Sequence, residues 1–243
     1  MDHLVFAKKL VSELISRTTR LRFDLQNAYD QYVMLLYASL IEIAHSISTL
    51  VEQDATVATK TITRGMLEAW VDFINLIDDP EYIRYLSLRN LNEWLRTYRE
   101  AQDGNEVFAQ ILESSNFQQR LEQESAEADK LKADGVKLLT VRQRFEKADL
   151  LDIYGGVYAW LCSESHNSYR ALVSRHIIAS EESMSLQILK ETSIEDHLQV
   201  LDTLGEILLK SAIVVHDKYG DEAGAIADLE VEFGQVRESM KQS

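Results

Sequence analysis

Three groupings of polar residues in this 243-residue chain have types and spacings that suit chemistry. Arg64 and Glu68 stand four apart in a helical stretch, and Asp72 and Asn75 continue the same side. One reading is an exposed ion pair in the less favourable order, worth roughly a few tenths of a kcal/mol. The other is a buried pair that holds a polar group of a neighbouring helix. The second grouping is the run Tyr154-Gly155-Gly156-Val157-Tyr158-Ala159-Trp160-Leu161-Cys162-Ser163-Glu164-Ser165-His166. Gly156, Ala159 and Ser163 make a small-residue stripe that another helix can approach, and Ser163 and His166, three apart, share that side. A histidine there serves as a cap, a satisfied core residue or a proton carrier. Cys162 has no basic neighbour in sequence, so nothing marks it as a nucleophile. The third is Glu42-Ile43-Ala44-His45, the Glu-x-x-His spacing of di-iron bundles, beside Ser39, Ser46 and Thr49. A complete metal site of that kind needs a second Glu-x-x-His, and none exists, so no metal ligand is assigned; the alternative is a polar stripe meeting the Arg64 face. No Gly-rich phosphate loop, Walker pattern or Ser/His/Asp order is present, and no cofactor is expected.

Helices must position these residues. Leu4, Ala7, Val11, Leu14, Leu21 and Leu25 follow helical spacing, as do Tyr29, Val33, Leu36, Leu40, Ile43, Ile47 and Leu50, whose helix carries enough further apolar residues to be central. Asp54 is placed to cap a third helix with inner face Ile62, Met66, Ala69, Trp70, Phe73, Ile74 and Ile77. Asp78-Asp79-Pro80 ends it and starts a fourth, from about 80 to 101. After the turn Gln102-Asp103-Gly104-Asn105, residues 106–133 read as a polar helical arm, broken at Gly135. Helical pattern returns over 140–166. Residues 168–180 show no strong period and read as a loop or short extended segment. A long helix follows over 194–218. In the 221–243 segment Ile226, Leu229, Phe233, Val236 and Met240 form an apolar stripe. Such a stripe must dock on its own bundle or on another subunit; a homodimer using it is expected.

Composition bounds the function classes. Hydrophobic residues make up 46% and charged residues 27%, as in globular proteins, while nine Gly and one Pro are too few for the turns of a sandwich or barrel. The fold expected is all-α, one domain over 1–243, a bundle of six to eight helices. The net charge of −15 opposes a DNA-coating or membrane-surface role. The lone Cys162 excludes an internal disulfide, and Cys/His finger spacing is absent. No basic segment leads into an apolar one at the N-terminus, and no uncharged apolar run approaches the length of a membrane span, so a cytoplasmic protein is expected.

The helix Thr63-Arg64-Gly65-Met66-Leu67-Glu68-Ala69-Trp70, the Asp79-Pro80 break and the Tyr-x3-Tyr followed by Ser163-x2-His166 resemble a bacterial family of all-helical proteins of unknown function. That family is distantly similar to HEPN helical domains, many of them toxin or phage-defence ribonucleases and commonly dimers. The resemblance implies a HEPN-like core and a shared polar site of Arg64, Glu68, Ser163 and His166. HEPN ribonucleases carry an Arg and a His separated by four to six residues, and Arg170 and His176 have five between them, although Ala171 stands where a polar residue is usual. The chemistry implied is metal-free: histidine as general acid or base for attack by the RNA 2′-hydroxyl, arginine stabilising phosphate charge. Residues 165–180 hold Arg170, Arg175, His166 and His176 with no acid, a local exception in an acidic chain. RNA binding or cleavage in a stress or defence setting is thus the leading expectation. A non-catalytic interaction module with a protein partner is the competing one, and a carboxylate/His metal bundle is the third.

Overall fold

The computed structural model describes residues 3–166, 168–179, 183–189, 192–220 and 224–240, except the side chains of Thr56 and Met240. In chain order it forms α1 (His3–Thr18), α2 (Ala28–Glu52), α3 (Thr56–Asp78), α4 (Tyr82–Gln102), a 3-10 turn (Glu106–Phe108), α5 (Ala109–Leu112), α6 (Phe117–Ala133), α7 (Val141–Lys147) and α8 (Leu151–Ile153). A π-helical turn (Tyr154–Tyr158), α9 (Ala159–Ser165), α10 (Tyr169–His176), the strands β1 (Ile177–Ala179) and β2 (Met184–Leu186), α11 (Ile194–Tyr219) and α12 (Ala227–Met240) complete it. The strands pair antiparallel, with Ile178 opposite Ser185. The fold is mostly helical, as composition requires. It has more segments than six to eight because Asp149, at φ 55°, and the π turn divide the 140–166 stretch, while residues 113–116 interrupt 106–133.

The chain divides into two compact units, Met1–Ile74 with Phe145–Ser243, and Asn75–Arg144. In the first, α1, α2 and α11 pack mutually through Phe6, Leu10 and Leu14, Val33, Tyr37, Leu40 and Ile47, and Leu204, Leu208, Ala212 and Val215. Burial of each such side chain stabilises by roughly 1.5–3 kcal/mol. Local signals set the ends. Asn27 accepts the amides of Tyr29 and Asp30 to start α2, and the Ser193 hydroxyl accepts that of Asp196 to start α11.

Against the sequence expectations, α1 stops at Thr18, and Leu25 lies outside it at 60% exposure. Asp54 does not cap α3. It adopts φ 52°, and its carboxylate instead accepts the Thr192 amide at 3.3 Å and meets His197 at 3.2 Å. The buried face of α3 is only partly the one expected: Met66, Trp70 and Phe73 are buried as read, Thr63, Leu67, Val71, Asp72 and Leu76 are buried as well, and Ile62, Ala69, Ile74 and Ile77 are only partly so. Residues 169–176 are helical, because the Ser168 hydroxyl accepts the Ala171 amide at 3.2 Å and supplies a cap that periodicity alone does not reveal.

The apolar tail stripe also departs from expectation. Ile226, Leu229, Phe233 and Val236 are buried on their own chain, where α12 packs on α1 and α11. Phe233 stacks on Phe6 at 5.3 Å and crowds Gly205, where an added Cβ would lie 2.6 Å from its ring. Lys9–Glu232 and Arg17–Asp228, both at 2.7 Å, frame the contact. The stripe therefore leaves no apolar face among these residues for a second subunit; the Met240 side chain lies outside the described residues. α2 is one helix long and apolar enough to span a membrane, by length and composition; Glu42 interrupts its run in sequence, and 44% of its most apolar window is buried inside the protein.

In the second unit α6 packs on α4 around Leu88, Leu91, Leu95, Tyr98 and Ala128, bordered by Phe117, Leu121 and Leu131. The polar 106–133 segment thus buries its sparse apolar residues on α4. Gly135, at φ 89°, ends it, and Arg84 meets Asp134 at 2.7 Å.

Candidate functional site

One turn of α3 repeats three times to build a charged stripe: Lys60, Arg64 and Glu68 lie four apart and so share a face. The π turn and α9 supply their partners. The Arg64 guanidinium meets Glu68 Oε1 at 3.2 Å, donates from Nε to the Tyr158 hydroxyl at 3.4 Å, and places Nη1 3.2 Å from His166 Nε2. A guanidinium only donates, so His166 Nε2 is the acceptor in this contact. The Tyr158 hydroxyl donates to Glu68 Oε1 at 2.8 Å. Burial, with Glu68 beside it, holds the Tyr158 pKa well above its ordinary value while Arg64 opposes, so the phenol keeps its proton. The Tyr158 hydrogen bond in turn raises the pKa of Arg64. Arg64 and Glu68 are each 26% exposed and His166 is exposed, so the cluster opens to solvent through the histidine.

Lys60, missed by the sequence reading, is 7% exposed and pairs with Asp196 at 2.7 Å and Glu164 at 3.4 Å, its ammonium 4.9 Å from the centre of the Trp160 ring. Its signal in the sequence is its position one turn before Arg64. Tyr158, quoted in the sequence motif but given no site role there, sits where a π turn through Gly155 and Gly156 inserts an extra residue into the helix. Such insertions are frequent at functional sites. Tyr154, Tyr158 and Phe145 stack there at 4.9–5.4 Å. The expected small-residue stripe does not receive a helix, for Gly156 and Ala159 are exposed and a Cβ on Gly156 would meet open space.

The remaining sequence candidates fall elsewhere. Ser163 Oγ lies 2.8 Å from Ser168 Oγ, and Ser168 donates its amide to the Ser163 carbonyl, so Ser163 braces the α9–α10 junction beside the cluster. Arg170 is exposed in the first turn of α10. His176, six residues on, points about 120° away by helical geometry. Its Nδ1 lies 3.2 Å from the Gln187 carbonyl, which must accept, so Nδ1 carries a proton in this contact. Asn75 donates to the Arg144 carbonyl in the second unit and is not part of the cluster. Glu42 and His45 are exposed on α2 and do not meet the Arg64 face; among the described residues no three His, Cys, Asp or Glu gather as metal ligands.

The molecule is thus a helical protein in which one helix carries a Lys-Arg-Glu stripe and a second, π-distorted helix answers it with tyrosine, glutamate and histidine. The model of a family of unknown function, DUF5677, matches residues 30–184, and the chain belongs to that family. The matched span holds Lys60, Arg64, Glu68, Tyr158, His166, Arg170 and His176. No curated protein and no solved structure matches the chain.

Proposed function

We propose that the protein binds RNA at the α3–α9 cluster and cleaves it without metal, with His166 as the base and Arg64 as the phosphate ligand. The observation that carries this reading is the 3.2 Å approach of Arg64 Nη1 to an exposed His166 Nε2. A phosphate that draws the guanidinium to itself releases the Nε2 lone pair. His166 then takes the proton of a 2′-hydroxyl as that oxygen attacks the adjacent phosphorus, Arg64 stabilises the added charge, and the departing 5′-oxygen takes a proton from solvent. The products are a 2′,3′-cyclic phosphate and a 5′-hydroxyl. Arg170 and Arg175, with no acid over residues 165–180, offer cations to the flanking phosphates. The resemblance to HEPN domains supports a HEPN-like core and a stress or defence setting in the cytoplasm. In this reading the Arg and His of that chemistry come from α3 and α9, and the Arg170 and His176 spacing is secondary.

A second reading is a non-catalytic interaction module. It is favoured by the engagement of Arg64 with Glu68 and Tyr158, which partly neutralises it, and by the net charge of −15. The deciding experiment incubates the full chain with several RNAs in EDTA. Cleavage should persist, and should be lost in His166→Ala and in Arg64→Gln. Loss in His176→Ala alone would move the base to α10, and metal-dependent cleavage would return attention to Glu42 and His45. No cleavage of any RNA, with no growth defect on overexpression, would select the interaction module.

A further inference from the structure

Three residues after His166 the chain turns its most exposed aromatic ring, among the described residues, to solvent. Tyr169 opens α10 at 84% exposure, and the next most exposed ring, Trp94, is at 43%. Trp94 is also packed on Tyr98 at 5.9 Å and covered by Arg120. Burying a ring of that size is favourable, so one left open beside a candidate site is a surface with something to gain from a partner. Leu172, one turn further along the same side of α10, is 40% exposed and extends the apolar area. Ala171, on the opposite side, is 1% exposed and seats the helix on the protein.

The ring is held in a fixed relation to the cluster. The His166 amide donates to the Cys162 carbonyl at 3.0 Å, and the Ser168 amide donates to the Ser163 carbonyl at 3.3 Å. The hydroxyls of Ser163 and Ser168 lie 2.8 Å apart, and that of Ser168 accepts the Ala171 amide at 3.2 Å. The end of α9 and the start of α10 are thus one braced corner. Three residues of chain span at most about 11 Å, so the Tyr169 ring stands within a few nucleotides of a phosphate held at His166. Arg170, the next residue, is exposed, and no acid falls within residues 165–180 of a chain with net charge −15. An open ring beside an open cation is the combination that holds single-stranded nucleic acid, the ring taking a base and the cation a phosphate.

We propose that the RNA taken by the α3–α9 cluster is unpaired, with a base near the bound phosphate stacked on Tyr169 and the adjoining backbone held by Arg170. This inference rests on the RNA reading of the cluster and names its substrate class. A duplex does not fit the ring, because its bases are stacked on one another and it presents backbone and groove edges instead of base faces. The chemistry points the same way. Attack by the 2′-oxygen requires it to lie in line with the departing 5′-oxygen, a turn of the backbone that regular pairing opposes and an unpaired strand permits. Stacking on a phenol ring accepts any base, so the preference is for unpaired strand over duplex and not for one sequence.

The test compares the full chain with Tyr169→Ala and Tyr169→Phe, by fluorescence anisotropy on 2′-O-methyl RNA, which cannot be cleaved, and by cleavage of ordinary RNA in EDTA. Each RNA is offered as a single strand and as a perfect duplex, and an abasic strand of equal length keeps the phosphates without the bases. Tyr169→Ala should weaken single-strand binding about 5–100-fold, and Tyr169→Phe should restore it, with circular dichroism unchanged in both. Duplex and abasic strand should bind more weakly, and equally to the wild type and to Tyr169→Ala. The proposal is overturned if Tyr169→Ala leaves single-strand binding and cleavage intact, if Tyr169→Phe fails as Tyr169→Ala does, or if duplex is preferred. Cleavage that survives in Tyr169→Ala leaves the α3–α9 reading standing, whereas base-dependent binding through Tyr169 without cleavage removes the catalytic reading and keeps this one. RNA that is neither bound nor cleaved overturns both and leaves the ring to a protein partner.

Discussion

Lys60 shows how burial changes the worth of a charge. Exposed pairs such as Lys8–Glu52 contribute about 0–1 kcal/mol, because water already solvates both partners. Lys60 is 7% exposed, and its two carboxylate partners, Glu164 and Asp196, come from different elements. Removing the ammonium would leave those carboxylates facing each other. Lys60→Met should therefore destabilise by about 2–3 kcal/mol, somewhat less than the loss of a fully buried pair because Asp196 is 34% exposed. Urea denaturation of Lys60→Met beside the triple variant Lys60→Met/Glu164→Gln/Asp196→Asn checks this. The triple variant should recover most of the loss; a loss no larger in the single than in the triple variant would show that the pairing has no net effect. Arg64 and Glu68 were legible in the sequence as one face of a helix. Tyr158, Lys60 and Asp196 were not, because spacing within one helix says nothing of which other helix arrives opposite.

At the scale of elements, the helices with strong periodicity were legible and the places where polar groups are buried were not. α11 buries Leu201, Leu204, Leu208, Ala212 and Val215 as its spacing reads, whereas α2 keeps Val33, Leu40 and Ile47 of the expected face and buries Met34, Tyr37, Ile41, Ala44 and Val51 beside them. α3 buries Met66, Trp70 and Phe73 as read, but Thr63, Asp72 and Asn75 also take buried positions, which a purely apolar count leaves out. Thr63 is satisfied by the Thr59 carbonyl and Asn75 by donating to that of Arg144, which hydropathy cannot anticipate. The π turn is likewise invisible to a period of 3.6 residues. Its glycines point to a test. A Cβ on Gly156 would meet nothing within 4 Å, and its φ lies outside the left-handed region. Gly156→Ala should therefore stabilise by about 0.5–1 kcal/mol through reduced freedom of the unfolded chain. If the same variant nevertheless lowers RNA cleavage, with the fold intact by circular dichroism, the extra residue of the π turn is what sets Tyr158 and His166 against Arg64. A destabilised variant would show that the turn needs glycine for a reason other than space.

At the scale of the whole molecule, the dimer expected from the tail stripe needs a different surface, since α12 is spent on its own chain. The antiparallel pair β1 and β2 and the residues after it offer one: Ile178, Met184, Leu186, Ile188 and Leu189 are exposed, and a two-stranded ribbon has unpaired edges that can pair with another chain. Light scattering at micromolar concentration should report a dimer for the full chain and a monomer for Leu186→Lys/Ile188→Lys. A monomeric full chain would remove the homodimer, and a dimer unaffected by the lysines would remove the β1–β2 ribbon from its interface.

The stacking of Phe6 on Phe233 also governs the order in which the protein can be assembled during synthesis. α1 packs on α11 and α12, about 200 residues downstream, as well as on α2, and ribosomes add roughly 5–20 residues per second. Phe6, Leu10 and Leu14 therefore wait on the order of 10–40 seconds with only α2 to cover them. During that interval the nascent chain presents an amphipathic helix with one side uncovered, the kind of surface that chaperones bind. Efficient folding in the cell should then depend on such a holding factor more than the modest size of the chain suggests.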